Sequence, residues 1–123
     1  MIDVQQYRAT QARKMSEATL LAQVRALARA LGWLGYHTHR SDRSEPGWPD
    51  LVLVRGDRLL YRELKTSTGR LMPAQQTWLD ALRAAGADAS VWRPEDLLEG
   101  RVEAELARPR GHLARQVLAG AGR

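Results

Sequence analysis

From Ser16 onward, apolar residues fall at Leu20, Leu21, Val24, Leu27, Ala28 and Leu31, the spacing of one helical face, until Gly32 stops the pattern. Ser16 suits the N-cap, because its hydroxyl can accept a backbone N–H at the open helix start. "WLGYHTHR", Trp33 to Arg40, then reads as a modest strand, and "SDRSEPGWP" as a polar loop broken by two prolines and a glycine. Leu51 to Val54 is continuously apolar, as for a strand covered on both faces, whereas Leu59 to Lys65 alternates, with Arg62 opposing Tyr61 and Glu63. Gly56-Asp57 between them is hairpin-turn chemistry, so the two strands are expected to pair antiparallel. After the loop "TSTGRLM", Pro73 fits the first position of a helix running through Trp78, Leu79, Leu82 and Ala85 to a stop at Gly86. Asp88 to Arg93 supplies a fourth strand, and Pro94 begins a short helical turn ending near Gly100. The order helix, three strands, helix, strand predicts an α/β sandwich around a mixed sheet, an αβββαβ core.

The rest of the composition narrows this picture. With 123 residues the chain suits one compact domain. Residues 16–100 carry the pattern, residues 1–15 read as a basic N-terminal arm, and residues 101–123 as a basic, helix-prone tail split by Pro109 and Gly111. Nineteen Lys and Arg against 14 Asp and Glu give a formal charge of +5. That excess favours polyanions, and by itself serves nucleic acid, a membrane surface or plain solubility equally well. The absence of cysteine excludes structural disulfides and thiolate zinc sites. No apolar run approaches the roughly 20 residues of a membrane helix, and "MIDVQQYRATQARK" lacks the hydrophobic centre of a signal peptide. The expectation is a soluble, intracellular, cytoplasmic protein with no membrane association.

The hairpin brings two acids together. A turn centred between Gly56 and Asp57 sets Leu53 opposite Leu60, Val52 opposite Tyr61, and Asp50 opposite Glu63. Such partners have Cβ atoms about 4.5–5.5 Å apart, and Lys65 projects from the same face as Glu63, roughly 7 Å along. Opposed like charges are destabilising unless one is protonated or a cation lies between them. A hard divalent ion such as Mg²⁺ meets this need, since it accepts one or two carboxylates together with water and phosphate oxygens. Taken singly, either acid reads as a solvated strand end, and Glu63 as an ion-pair partner for Lys65 or Arg62. A one-residue bulge would also send Asp50 to the other face.

Two further residues join by helical arithmetic. Glu17 shares a face with Leu21, Val24 and Ala28, on the buried-looking stripe, although an acid there also complements the helix dipole. Gln75 shares a face with Trp78, Leu79 and Leu82 and is expected to point inward from the start of its helix, although an amide there also satisfies local backbone.

At these residues the chain resembles a known family. "PGWPDLVLV" followed by "YRELK" resembles the PD-(D/E)xK nuclease signature, with Pro49-Asp50 as the PD and Glu63-Leu64-Lys65 as the ExK. Glu17 on a leading helix, the "PGWPD" form and "GRLMPAQQTWLDALRAAGADASVWRPEDL" are similar to the VRR-NUC subgroup, the virus-type replication and repair nucleases, from about Glu17 to Leu98. The resemblance implies a restriction-endonuclease-like fold and Mg²⁺- or Mn²⁺-dependent hydrolysis of phosphodiester bonds in DNA. It implies that Asp50 and Glu63 ligate the metal, with Glu17 assisting directly or through water and the Leu64 carbonyl adding a ligand. It implies that Lys65 orients or deprotonates the attacking water and that Gln75 supports the site. With no fused module in the 123 residues, it implies the short, phage-like type. Such proteins act as homodimers on branched DNA such as Holliday junctions, in repair or recombination, in the host cytoplasm if phage-encoded. Met72, ahead of the helix at Pro73, departs from a polar cap, and the tail after Arg101 lies outside the resemblance.

Other residues are weighed beside these. His37 and His39 share a strand face, a spacing open to metal, though phosphate contact or exposure is the simpler reading. Trp48 reads as packed against its flanking prolines, or else stacked on a base. Arg40, Arg43, Arg70 and Arg93 fall near the site end as candidate phosphate contacts, and Arg8, Arg13 and Lys14 offer the same or a solvated arm. The competing function is a catalytically silent DNA-binding or assembly module on the same fold.

Overall fold

The computed structural model describes residues 3–38 and 43–109. It contains helices α1 (Val4–Lys14) and α2 (Glu17–Ala30), strands β1 (Leu34–His37), β2 (Leu51–Arg55) and β3 (Arg58–Leu64), helix α3 (Pro73–Ala84), strand β4 (Asp88–Trp92), and helices α4 (Pro94–Leu98) and α5 (Arg101–Leu106). The sheet order is β1-β2-β3-β4, with the first three strands antiparallel and β4 parallel to β3 across the α3 connection. This is the mixed α/β sheet expected, in keeping with a restriction-endonuclease-like fold.

The segment taken as a basic arm is a helix. Asp3 caps α1, its carboxylate accepting from the Gln6 N–H at 2.7 Å while the Gln6 side chain accepts from the Asp3 N–H at 3.3 Å. This D-x-x-Q box is a sequence-level start signal. Only Ala12 of α1 is buried, so the segment shows no apolar stripe, and it packs on α4. Ser16 caps α2 as expected, accepting from the Thr19 N–H at 3.1 Å.

One sheet face carries the core. Leu51, Leu53, Leu60 and Leu64 pack with Leu20, Val24 and Ala28 of α2 and with Trp33, Trp92, Val102 and Leu106. The first part of the tail is therefore a core element, because α5 contributes two wholly buried side chains. The part of the tail beyond Pro109 lies outside the described residues. Arg62, mid-strand on this same face, is buried because Asp88 and Glu105 each pair with it at 2.9 Å and Trp92 stacks 4.8 Å from its guanidinium.

The opposite face positions the polar loop. Trp48 meets the edges of Tyr61 and Trp78, with ring centroids 5.7 and 5.0 Å away, and Trp78 Nε1 donates to the Pro46 carbonyl at 3.1 Å. Trp48 thus packs on two aromatic rings. Gly47 has φ +88°, and a Cβ there would come within 2.3 Å of the Ala74 backbone, so only glycine lets "PGWPD" lie against the first turn of α3. Among the described residues no helix is long and apolar enough to cross a membrane.

Candidate active site

The β2–β3 register runs without a bulge from Arg55 opposite Arg58 to Leu51 opposite Arg62. One step further places Asp50 across from Glu63. Asp50 sits at the bend entering β2, held from both sides: its carbonyl accepts the Thr38 N–H at 3.0 Å, and its carboxylate Oδ2 accepts the Leu64 N–H at 2.8 Å. The acid is therefore tied to both neighbouring strands before any ligand arrives.

Glu63 is 2% exposed, and its two oxygens differ. Oε2 accepts from Gln75 Nε2 at 2.8 Å and lies 3.6 Å from Lys65 Nζ, whereas Oε1 is buried with no hydrogen-bond partner. Burial first, and then the charge of Asp50, raise the carboxyl, Lys65 pulls it back down, and the net result is about 8. The orientation of Gln75 is not free. Its Oε1 accepts the Met72 N–H at 2.8 Å, so its amide nitrogen must face Glu63. The inward amide thus satisfies local backbone and supports the acid at once, and it supplies half of the cap that Met72 cannot.

Glu17 departs from the expectation of burial. Leu20, Val24 and Ala28 form the buried face of α2, and Glu17, one residue past the N-cap, is exposed at the mouth of a cavity of about 120 Å³ that it shares with His37, Asp50 and Leu64. Among the described residues no three Asp, Glu or His side chains are gathered closely enough to enclose an ion. The site is an acid pair with a lysine, opening on a cleft, and Glu17 stands at its rim.

The arginines divide. Arg43 and Arg70 are exposed, and Arg40, with His39, lies outside the described residues. Arg93 is half-buried, and its Nη1 donates to the Thr66 carbonyl at 2.7 Å and the Gly69 carbonyl at 2.6 Å. Ser67 in the same loop hydrogen-bonds Glu95 at the start of α4. The loop joining Lys65 to the helix of Gln75 is thus pinned to the end of β4. Short-range patterns carry no sign of this, because the partners stand more than twenty residues apart.

Two outcomes follow from this geometry. For the DNA cleavage that the nuclease resemblance implies, Arg93→Ala should slow the rate about tenfold or more while DNA affinity changes less than about twofold, since a positioning residue acts on kcat. A phosphate contact would instead weaken binding and flatten its salt dependence by about one unit of slope. Anisotropy titrations over a salt series, set beside single-turnover rates, separate the two.

The second outcome concerns protons. An unfolded glutamate titrates near 4.5 and folded Glu63 near 8, so folding takes up a proton between those values. The stability of the ion-free protein should therefore fall as pH rises from about 4.5 to 8. A divalent ion bound by Glu63 must displace that proton. Its affinity should rise up to about tenfold per pH unit until the carboxyl titrates, with about one proton released near neutrality. Calorimetry in two buffers of different ionisation enthalpy counts that proton.

The model of the VRR-NUC domain matches residues 2–95, taking in α1 as well as the acid pair, Lys65 and Gln75. No curated protein and no solved structure matches the chain.

Proposed function

The chain belongs to the VRR-NUC domain family, nucleases that act on DNA, and on that premise we propose that it is a metal-dependent endonuclease cutting branched DNA as a homodimer. The observation that carries the metal is Glu63 Oε1, a buried carboxylate oxygen without a partner, on a side chain facing a second acid. A protein gains nothing in stability from opposing two acids in its interior, and a bound divalent cation removes both the repulsion and the missing contact.

The donor set fits Mg²⁺ or Mn²⁺. Asp50 and Glu63 would hold the ion with the Leu64 carbonyl, while Glu17 at the rim would act through water. Two carboxylates, leaving positions for water and phosphate oxygens, suit Mg²⁺ better than a closed cage does. When bound, the ion supplies positive charge to the phosphoryl oxygens and lowers the pKa of water. The remaining work belongs to the chain. Lys65 orients the attacking water or takes its proton, and its ammonium stabilises negative charge developing on phosphate. Gln75 fixes the Glu63 carboxylate, and the pinned 66–69 loop holds Lys65 beside it. Arg43 and Arg70 are exposed near this end and would meet backbone phosphates.

Symmetric cutting of a four-way junction needs two such sites at a fixed separation, which is why the reading includes a dimer. The test is a panel of duplex, nicked, flap and four-way DNA with and without Mg²⁺ or Mn²⁺, together with the mass in solution. Ion-dependent cleavage of branched substrates by a dimer is expected. Tight binding with no cleavage of any substrate would replace the enzyme with a silent DNA-binding module.

A further inference from the structure

A second cavity, of about 280 Å³, lies between α2 and the edge strand β1, beyond the one at the acid pair. Both are walled by α2 and β1. On the helix, Glu17, Leu21, Arg25 and Arg29 follow at intervals of four along one face, the first two lining the catalytic-end cavity and the last two the second. On the strand side, His37 and the following Thr38 line the first and Gly35 the second. The two cavities thus follow one another along α2 in one groove-like line, whose first part reaches Asp50.

Gly35 keeps this groove open. It pairs with Leu53 and faces α2, and a Cβ there would come within 3.2 Å of Leu53 Cδ2. With glycine, the floor is the apolar surface of Ala28, Trp33 and Leu53, and the rim is Arg25 and Arg29. No acidic side chain lines this part, and among the described residues neither guanidinium has an ion-pair or hydrogen-bond partner. Elsewhere the buried arginines are paired or capped: Arg62 by two carboxylates, Arg58 by the Glu105 carbonyl. Two unpaired guanidinium groups four residues apart, over an apolar floor free of acids, match a phosphodiester backbone in charge and spacing.

We propose that this groove carries the DNA strand leading away from the scissile phosphate, with Arg25 and Arg29 on its phosphates. The proposal rests on the nuclease reading above and assigns the substrate's path. At 1.5 Å per helical residue, Arg25 and Arg29 stand about 12 and 18 Å from Glu17. Taken as rise along the duplex axis, about 3.4 Å per nucleotide, this corresponds to roughly four to five nucleotides from the cut.

The test compares the full-length protein with Arg25→Ala/Arg29→Ala and Arg25→Lys/Arg29→Lys. Binding of fluorescent duplex and four-way DNA is read by anisotropy without divalent ions, over a salt series. The alanine pair should weaken binding about tenfold or more near 0.1 M salt and reduce the slope of log K against log salt by about 1.8, while the lysine pair keeps the slope. Substrates trimmed to two nucleotides on one side of the cut should be cleaved more slowly by the wild type, and trimming should no longer matter in the alanine pair. Wild-type affinity and slope in the alanine pair would overturn the groove and leave the nuclease reading standing. A wild-type protein that neither binds nor cuts any DNA would overturn both.

Discussion

Replacing Asp50 by asparagine is expected to reduce DNA cleavage at least about 10³-fold, some 4 kcal/mol of transition-state stabilisation, while the ion-free protein melts no lower than wild type. The two halves have separate causes. The Asp50 side chain accepts the Leu64 N–H at 2.8 Å, and an asparagine carbonyl can accept the same bond, so the strand junction is kept. The lost charge is the one that raises the neighbouring Glu63 carboxyl, second only to burial. Without it Glu63 ionises at lower pH, less proton uptake accompanies folding, and the stability lost between pH 4.5 and 8 shrinks. The price of the acid pair thus falls on stability, as is common at catalytic sites. A purely structural Asp50 would give the opposite result, with cleavage and melting temperature falling together. Rates on a cleavable junction and thermal melts at pH 5 and 8 distinguish them.

Lys65→Ala is expected to lower cleavage by about 10²–10³-fold in kcat, with divalent-ion affinity kept within a few-fold and Lys65→Arg giving no recovery. Lys65 is only 11% exposed and its Nζ lies 3.6 Å from Glu63 Oε2, on the face that carries both acids. A lysine amine can take a proton there and its ammonium can steer one, whereas a guanidinium is larger and stays protonated. The ammonium also pulls the Glu63 carboxyl down, so its removal should leave that carboxyl titrating higher. An unchanged cleavage rate would remove Lys65 from the chemistry. Equal losses in rate and ion affinity would make it a partner of Glu63 alone.

Much of this site was legible in the chain because hairpin geometry is local. Gly56-Asp57 set the register, and the register put Asp50 and Glu63 in apposition and Lys65 on the Glu63 face. The element order from α2 to α4 was legible for the same reason, its helices and strands being marked by periodicity and by Ser16, Pro73, Gly86 or Pro94 at their ends. The misreadings have physical causes. Helix α1 buries almost nothing, so a period-seeking search passes over it, although Asp3 and Gln6 mark its start. Glu17 is expected on the buried stripe because its face contains Val24 and Ala28, but it stands one residue past the N-cap, and its side chain is exposed. The roles of Arg93 with the 66–69 loop, and of α5 in the core, rest on contacts distant in sequence that no local pattern encodes. Trp48 is expected to pack against its flanking prolines, with base stacking as the other reading, and its ring partners are Tyr61 and Trp78.

The claim on which the rest depends is that Asp50 and Glu63 share one divalent ion. Anomalous scattering from crystals soaked in Mn²⁺ tests it directly. The account predicts one strong peak about 2.1 Å from a carboxylate oxygen of each residue, absent in Asp50→Asn crystals treated alike. Soaked wild-type crystals with no peak between the two acids, or with manganese only elsewhere on the molecule, would contradict it.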